Sequence, residues 1–482
     1  MDPGRLSRTM SNVDRLNSSG GPVMGEQPVS LLRQLGIISA TALVVSNMIG
    51  TGIFTTTGFL AGDLGLVSAV LSIWVVGAVC ALAGAFCYSE LGINFPSSGG
   101  EYVYLTRAYG PTWGFMTGWV SFFAGFSAPI AAAALAFADY IGYFFPPARQ
   151  ESVLWRLGSG AVHLELGGAQ LTACLLIGLF TVINFFGIQR VARLQNVLTT
   201  IKVLVLLAFI VLGLTGGTGS WDHFSQVAHR TSSSPLPAQF AISLFFIYVS
   251  YSGWNAATYV AEELKQPSRT LPIALAVGTG LVAVLYLALN LTFIYAAPLE
   301  RMKGVIAIGS LAALHLFGSG GAGIFSALMA LSLVSTVNAM VTIGPRVYYA
   351  MALNGAFVAS AAKVSRRWHT PVFAIACQGV VAMLITATPF PDLLLYIGFT
   401  LNFFAVMSVA SLFRFRRRPE WQKLPVVNFA WPLVPLVFLA VGLWMIVFGM
   451  TLKPLVSLAA VATVGTGAIV YHFRLKDRTA PV

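Results

Sequence analysis

Long segments without a single charged residue constrain this chain more than any other feature. Eight of them occupy residues 35–62, 64–89, 108–138, 166–189, 231–261, 270–299, 304–345 and 424–452. A helix needs about 20 apolar residues to cross the hydrocarbon core of a bilayer, and each segment is long enough. A large soluble protein would place charged residues on the outer faces of its helices, yet only 9% of the 482 residues are charged. The pattern predicts an all-α polytopic membrane protein.

Adding the shorter apolar stretches brings the number of predicted transmembrane helices to twelve, numbered here as spans one to twelve. Their approximate bounds are 36–61, 67–90, 112–144, 169–188, 194–216, 238–261, 272–297, 320–350, 372–389, 392–413, 426–449 and 453–473. Cytoplasmic loops carry an excess of Lys and Arg. If the chain begins in the cytoplasm, 21 of the 28 Lys and Arg lie in cytoplasmic segments, 6 lie outside and 1 lies within a span.

This charge distribution predicts a multi-pass protein of the cell (plasma or inner) membrane with both termini in the cytoplasm. It also accounts for the net charge of +12 without a nucleic-acid partner. Residues 1–35, which are polar and rich in Ser, Gly and Asn, are predicted to be a disordered cytoplasmic tail, and residues 474–482 a short C-terminal one. The cysteines lack ligand spacing and fall within spans, so we predict no metal site, no disulfide framework and no cofactor.

Two spans carry breaks at matching positions. Gly50-Thr51-Gly52 interrupts span one, and Ser250, Ser252 and Gly253 interrupt span six within "YVSYSGWNAA". The breaks are 202 residues apart, which is also the distance between the starts of the two spans. Matching interruptions in two halves indicate the binding site of a transporter.

Each half holds five spans, which is an odd number, so the second half must be inverted relative to the first. The halves are predicted at 36–216 and 238–413, followed by two further spans within 426–473. A broken helix exposes N–H groups at the start of its second piece and C=O groups at the end of its first. These ends carry partial positive and negative charge. Two breaks of opposite direction therefore offer both poles to a zwitterion such as an amino acid.

Several motifs resemble one transporter superfamily. "IGTGIF" resembles the first-span signature of the amino acid–polyamine–organocation superfamily, and "FPSSGGEYVYL" its loop after span two. "YSGWNAATYVAEELKQPSRTLPIAL" is similar to span six of its L-type amino acid transporter branch, and "STVNAMVTIGPRVYYAMALNG" to span eight. The resemblance covers about 35–415 and implies the LeuT fold, a 5+5 inverted repeat with twelve transmembrane helices.

The resemblance also implies substrate-binding residues. The substrate carboxylate is expected at the N–H groups and hydroxyl of Gly50, Thr51, Gly52 and Ile53. The substrate ammonium is expected at the carbonyls of Met48, Ile49, Val249 and Ser252. Val249 stands where relatives hold an aromatic gate, so Tyr251, Trp254 or another aromatic ring is expected to close the site. Ser252-Gly253 replaces the usual Gly-Gly pair, which leaves the unwinding of span six and the side-chain specificity open.

Lys202 is the one Lys or Arg well inside a predicted span. An ionisable group at such depth is costly and indicates a function. By resemblance to sodium-independent relatives, its ammonium reaches the break in span one and takes the place of a sodium ion. The alternative is a lysine whose side chain snorkels to the membrane surface.

Other polar residues leave two interpretations open. Trp254 and Asn255 either line the site or pack in the core, and Asn47 bonds either the opened backbone or a neighbouring helix. For span eight the same choice between pocket and helix–helix bonding applies to Ser335, Thr336 and Asn338. Glu262-Glu263 with Lys265 and Arg269 indicates a solvated or loop-locking cluster, or a cytoplasmic gate. "GSGGAG" at 318–323 is interpreted as a loop rather than a phosphate-binding site.

The resulting hypothesis is a sodium-independent carrier, rather than an enzyme, that moves neutral L-amino acids by alternating access, with exchange favoured over facilitated or proton-coupled uptake. No carboxylate is expected at the depth of the breaks, which disfavours cationic substrates because a desolvated cation needs an anion. A permease for cationic amino acids or polyamines remains an alternative, as does a membrane sensor that binds an amino acid without transporting it. The expected partners are the amino acid and the lipid bilayer, with no obvious protein partner.

Overall fold

The computed structural model describes residues 32–149, 152–159, 162–305, 308–388 and 390–475. Within these ranges, eleven helices are long and apolar enough to cross a bilayer, and a shorter apolar helix lies where span nine was predicted. In chain order the twelve are Ile37–Leu64, Val67–Asn94, Pro111–Ile141, Gly168–Phe186, Ile188–Gly216, Leu236–Glu263, Pro267–Ala296, Ile308–Leu353, Val372–Ile385, Leu393–Phe415, Leu433–Leu452 and Pro454–Phe473. The predicted all-α polytopic fold is confirmed. Most of the two predicted tails lies outside the described residues.

Helices five positions apart in the order of spans pack against each other. Span two packs along span seven, span three along span eight and span four along span nine. The second piece of span one packs against the first piece of span six, and span one also contacts spans five, seven and eight. Spans one and six are thereby enclosed by other helices, while spans eleven and twelve pack at the side of the bundle, against spans two, three, six and ten.

A two-stranded antiparallel hairpin between spans three and four was not predicted. Its strands are β1, Val153–Ser159, and β2, Val162–Gly167. The backbone N–H of Glu165 donates to the carbonyl of Ala387 at 2.8 Å, which ties the hairpin to the end of span nine. The alternation of apolar and polar residues over so few positions is a weak signal beside the long apolar runs on either side.

The interpretation of residues 318–323 as a loop was wrong. Two helical segments within Ile308–Ile343 meet at Gly318, whose φ of 75° and ψ of −171° are not helical, and residues 319–323 are the first residues of the second segment. Glycine adopts this left-handed conformation without a steric penalty. Gly318 therefore separates the two helical segments at a sharp kink, and no open loop follows it.

Glu263 at the end of span six is fully buried, so the predicted solvated cluster is wrong for this residue. Its Oε1 accepts a hydrogen bond from Arg346 Nε at 2.8 Å, and Arg346 is itself buried, near the end of span eight. The backbone carbonyl of Glu263 also accepts from the N–H groups of Gln34 and Leu35. The ion pair joins spans six and eight at the predicted cytoplasmic end, and the backbone bonds attach the segment that leads into span one.

Glu263→Gln should lower the thermal stability of the purified protein markedly. Removing one partner of a buried ion pair leaves an uncompensated charge, here on Arg346, at a cost of about 3 kcal/mol. The measurement is the melting temperature in detergent, followed by the loss of the monodisperse peak on size-exclusion chromatography. Glu300→Gln is the matched control, because Glu300 forms its ion pair with Lys303 at the exposed surface. Equal melting temperatures for the two variants would contradict the prediction.

Candidate functional site

Span one is interrupted where its glycines predicted. Its first helical piece, Ile37–Met48, ends at Ile49, and its second, Thr51–Leu64, begins after Gly50, whose backbone is extended. The second piece has no side-chain cap. The N–H groups of its first turn therefore have no acceptor within the helix and face the break. The break therefore presents donors on one side and the carbonyls of the first piece on the other.

Span six is interrupted at the matching position. The α-helix Leu236–Tyr251 ends at Ser252, and Gly253 has φ 98°, a conformation that favours glycine. The chain then continues as a 3₁₀ helix, Ala256–Glu263. Ser250 still belongs to the first piece, so the opening lies two residues later than the first serine of the predicted run.

Lys202 joins the break in span one to span eight. Its side chain is 1% exposed, and its Nζ donates to the carbonyl of Ile49 at 2.7 Å and to Thr336 Oγ1 at 2.8 Å. The carbonyl of Ser46 lies 3.4 Å from the same nitrogen. The nitrogen thus lies against the negative end of the first helical piece, which favours a positive charge there. A side chain that snorkels to the membrane surface would be exposed at its tip, which this one is not.

Tyr286 on span seven joins the two breaks and was missed by the sequence analysis. Its hydroxyl donates to the carbonyl of Met48 at 2.5 Å and lies 3.0 Å from the carbonyl of Ser250. The ring is fully buried and packs edge-on against Trp74. A tyrosine in an apolar run has no sequence signal of its own, so only the packing of span seven against spans one and six brings it to this place.

A small cavity of about 50 Å³ lies beside the two breaks. Of the predicted site residues, Ser252, Gly253 and Trp254 line it, and so do Asn47 and Asn255. The remaining lining comes from the linking helix Glu101–Tyr109 and from spans three, six, eight and ten: Glu101, Ser121, Gly125, Phe126, Pro129, Tyr248, Ala256, Tyr259, Met340 and Leu401. Ser121 and Gly125 belong to the π-helical segment Ser121–Ser127 of span three, a distortion that often marks functional positions.

The other predicted site residues lie beside the cavity rather than on its wall. These are Met48, Ile49, Gly50, Thr51, Gly52, Ile53, Val249 and Tyr251, and all except Val249 are buried. Their carbonyls already have donors in this conformation: Tyr286 for Met48, Lys202 for Ile49, and the N–H and hydroxyl of Ser252 for Val249. The ring of Tyr251 packs against Trp74, and its hydroxyl donates to the carbonyl of Trp74, away from the cavity.

The second piece of span one touches the first piece of span six closely. A Cβ added at Gly52 would lie 2.5 Å from the Cα of Ser250. Further along the same two pieces, the rings of Phe59 and Phe246 stack with centroids 5.4 Å apart. Both rings line a second depression, which also contains Asp63, at the predicted outer end. The two breaks are therefore closed toward that end by direct contact of spans one and six.

Three polar residues of span eight take part in bonding between helices. Thr336 contacts Lys202, while the hydroxyl of Ser335 lies 2.7 Å from Ser46 Oγ and 2.9 Å from Gln195 Nε2. Asn338 Nδ2 donates to Gln195 Oε1. None of the three lines the cavity, so the interpretation as helix–helix contacts describes their geometry.

Glu101 is the second residue that the sequence analysis missed. It is the first residue of the linking helix, it is 5% exposed, and it lines the cavity. Its Oε1 accepts from the hydroxyl of Tyr88 at 2.5 Å and from Asn255 Nδ2 at 3.2 Å. Burial raises the pKa of this carboxyl to about 7, against the opposing effect of these hydrogen bonds. The expectation that no carboxylate lies near the breaks was wrong, because a residue outside the spans folds back between them.

The chain resembles known proteins over nearly its whole length. A family model described as amino acid permease matches residues 35–470. Large neutral amino acids transporter small subunit 2 of Rattus norvegicus is 27% identical over 97% of this chain and 84% of its own length. Asc-type amino acid transporter 1 of Mus musculus is 27% identical over 94% of this chain and 83% of its own length. Serine/threonine exchanger SteT of Bacillus subtilis (strain 168) is 26% identical over 93% of this chain and 98% of its own length.

Proposed function

This chain belongs to the amino acid permease family, and on that premise we propose that it is a sodium-independent exchanger of neutral L-amino acids. The observation that carries the proposal is the hydrogen bond from Lys202 Nζ to the carbonyl of Ile49 at 2.7 Å. A permanently attached cation at the break removes the need for a dissociable one, because the free carbonyls of a broken helix attract positive charge. Transport leaves the substrate chemically unchanged, so we propose no enzymatic activity.

The substrate is proposed to occupy the cavity and the two breaks together. Its carboxylate would accept from the unpaired N–H groups of Thr51, Gly52 and Ile53, at the positive end of the second piece of span one. Its ammonium would approach the carbonyl of Ser252 and the polar groups of the cavity wall. In the described conformation the carbonyls of Met48 and Val249 are bonded within the protein, so their use by substrate requires spans one and six to move.

Alternating access follows from how these two spans are held. The contacts of spans two with seven, three with eight and four with nine support the proposal that residues 36–216 and 238–413 are inverted halves with an internal two-fold relation. Spans one and six would then rock against the remaining helices, opening the site to each side in turn. Separation of Gly52 from Ser250 opens one end, and movement of Asn255 away from Glu101 opens the other.

The class of substrate is proposed from the relatives. Two of them are named for large neutral amino acids and for serine and threonine. Cationic amino acids are the second candidate, because Glu101 supplies the cavity carboxyl that such a side chain would contact. A sensor without transport has no structural observation in its favour.

The chain is embedded in a membrane as a multi-pass protein, and we propose the plasma or inner membrane with both termini in the cytoplasm, on the distribution of Lys and Arg. The expectation of no protein partner has no support. One relative is named as a small subunit, and purification from membranes tests whether this chain also binds a larger partner.

The test is transport by the purified protein in liposomes, with a panel of labelled amino acids. We expect rapid uptake of neutral amino acids when the liposomes contain unlabelled amino acid and little uptake when they are empty. Replacing sodium by choline should leave the rate unchanged. Uptake that needs sodium would contradict the role of Lys202, equal uptake by empty liposomes would contradict exchange, and no uptake of any amino acid would contradict transport.

A further inference from the structure

Glu101 differs from the other buried carboxylic acids of the described chain in having no basic partner. Glu90 accepts two hydrogen bonds from Arg416, and Glu263 is paired with Arg346. Among the described residues, the groups that hydrogen-bond Glu101 are the hydroxyls of Tyr88 and Tyr259 and the amide of Asn255, all of them neutral. A buried carboxylate without a cation is costly, so this position favours the binding of a positive charge from outside the protein.

The groups that face Glu101 come from every element around it. Tyr88 lies on span two, Tyr104 on the linking helix itself, and Tyr248 and Tyr259 on the two pieces of span six. Phenols ionise near pH 10 and are neutral at physiological pH, so none of them titrates together with the carboxyl. Burial raises the pKa of Glu101 to about 7, which places its change of charge in the physiological range.

Glu101 is also joined to the moving part of the protein. Asn255 follows directly on the break in span six, and its Nδ2 donates both to Glu101 Oε1 at 3.2 Å and to Tyr259 Oη at 2.9 Å. Opening of the cavity at this end separates span six from the linking helix and brings water to the carboxyl. Hydration favours the charged form, and it lowers the pKa toward that of an exposed glutamate.

We propose that Glu101 is a proton-binding site of this carrier, protonated while the cavity is closed at the predicted cytoplasmic end and ionised when it opens there. The inference rests on the transport activity proposed above. One proton leaves the carboxyl for water on opening and returns on closing, and no other bond is formed or broken. Because the closed state has the higher affinity for the proton, acidic pH stabilises that state and rising pH favours opening.

The expected result is exchange that accelerates as pH rises through neutrality. Between pH 6 and pH 8, applied on both sides of the liposome membrane, a group with a pKa near 7 passes from about 90% protonated to about 90% ionised. The rate should rise up to about tenfold over this interval if opening limits exchange. Glu101→Gln, which imitates the protonated acid in shape and charge, should remain at the slow rate of pH 6 throughout.

The experiment compares exchange of a labelled neutral amino acid at pH 6, 7 and 8 by the wild type, Glu101→Gln and Glu420→Gln. Glu420 is exposed near the same end of the protein and serves as the control that should keep the wild-type pH profile. If Glu101→Gln keeps the wild-type pH profile, the inference about Glu101 is overturned, while the proposed transport function stands. Uptake of a labelled cationic amino acid is measured in parallel. If Glu101→Gln loses this uptake and keeps the wild-type pH profile, the inference is also overturned, because Glu101 would then bind a substrate side chain.

A second variant decides the matter if Glu101→Gln fails to fold. Asn255→Ala removes a donor that stabilises the ionised carboxyl, so the midpoint of the pH profile should move to higher pH. A midpoint that stays in place would overturn the inference. Absence of any amino acid transport by the wild type would instead overturn the proposed function, and this inference with it.

Discussion

Lys202→Ala is expected to abolish most amino acid exchange while the protein still folds and inserts. The ammonium makes two close hydrogen bonds, to the carbonyl of Ile49 and to Thr336 Oγ1. Hydrogen bonds to a charged group contribute about 1.5–3 kcal/mol each. These two hydrogen bonds hold the break in span one against span eight. Their loss should lower the exchange rate about 100-fold, which corresponds to an increase of about 2.7 kcal/mol in the activation free energy.

The measurement is exchange by reconstituted protein, normalised to the amount inserted, together with the melting temperature in detergent. Lys202→Met adds an apolar side chain of similar length and separates loss of charge from loss of packing, so it should be as inactive as the alanine variant. Lys363→Met is the matched control, because Lys363 is exposed. Exchange at the wild-type rate in Lys202→Ala would show that the cation has no role in transport.

Gly52→Ala should reduce transport as severely, for a steric reason. The new Cβ would lie 2.5 Å from both the Cα and the Oγ of Ser250. A backbone atom cannot move aside as a flexible side chain does, so spans one and six must separate where they close the predicted outer end. Overpacking of this kind costs about 1–3 kcal/mol, and it acts on the two helices that move.

The check for Gly52→Ala is again exchange in liposomes with the melting temperature alongside. Gly280→Ala in span seven is the control, since a Cβ there meets no atom within 4 Å and should leave transport unchanged. We expect Gly52→Ala to lose exchange and several degrees of melting temperature. If both alanine variants exchange at equal rates, close contact at Gly52 is not required for the transport cycle.

Much of the fold could be predicted because the bilayer imposes simple rules on a sequence. Charge-free runs predicted twelve spans, since each span must satisfy its backbone within itself. The break at Gly50-Thr51-Gly52 could also be predicted, because glycines at the middle of an apolar helix destabilise it and therefore indicate a functional site. Lys202 was visible for the same reason, as a charge at a depth where charges are costly.

What the sequence by itself determined is therefore the membrane class, the number of spans, the places of the two breaks and the family. Only the tertiary structure decided which side chains surround the breaks. Tyr286 reaches both breaks and Tyr251 turns away from the cavity, although each is a tyrosine in an apolar run. Glu101 enters the cavity from a helix outside the spans. Periodicity and composition describe a residue's own helix, whereas these positions depend on how separate helices pack, and that packing involves residues far apart in the chain.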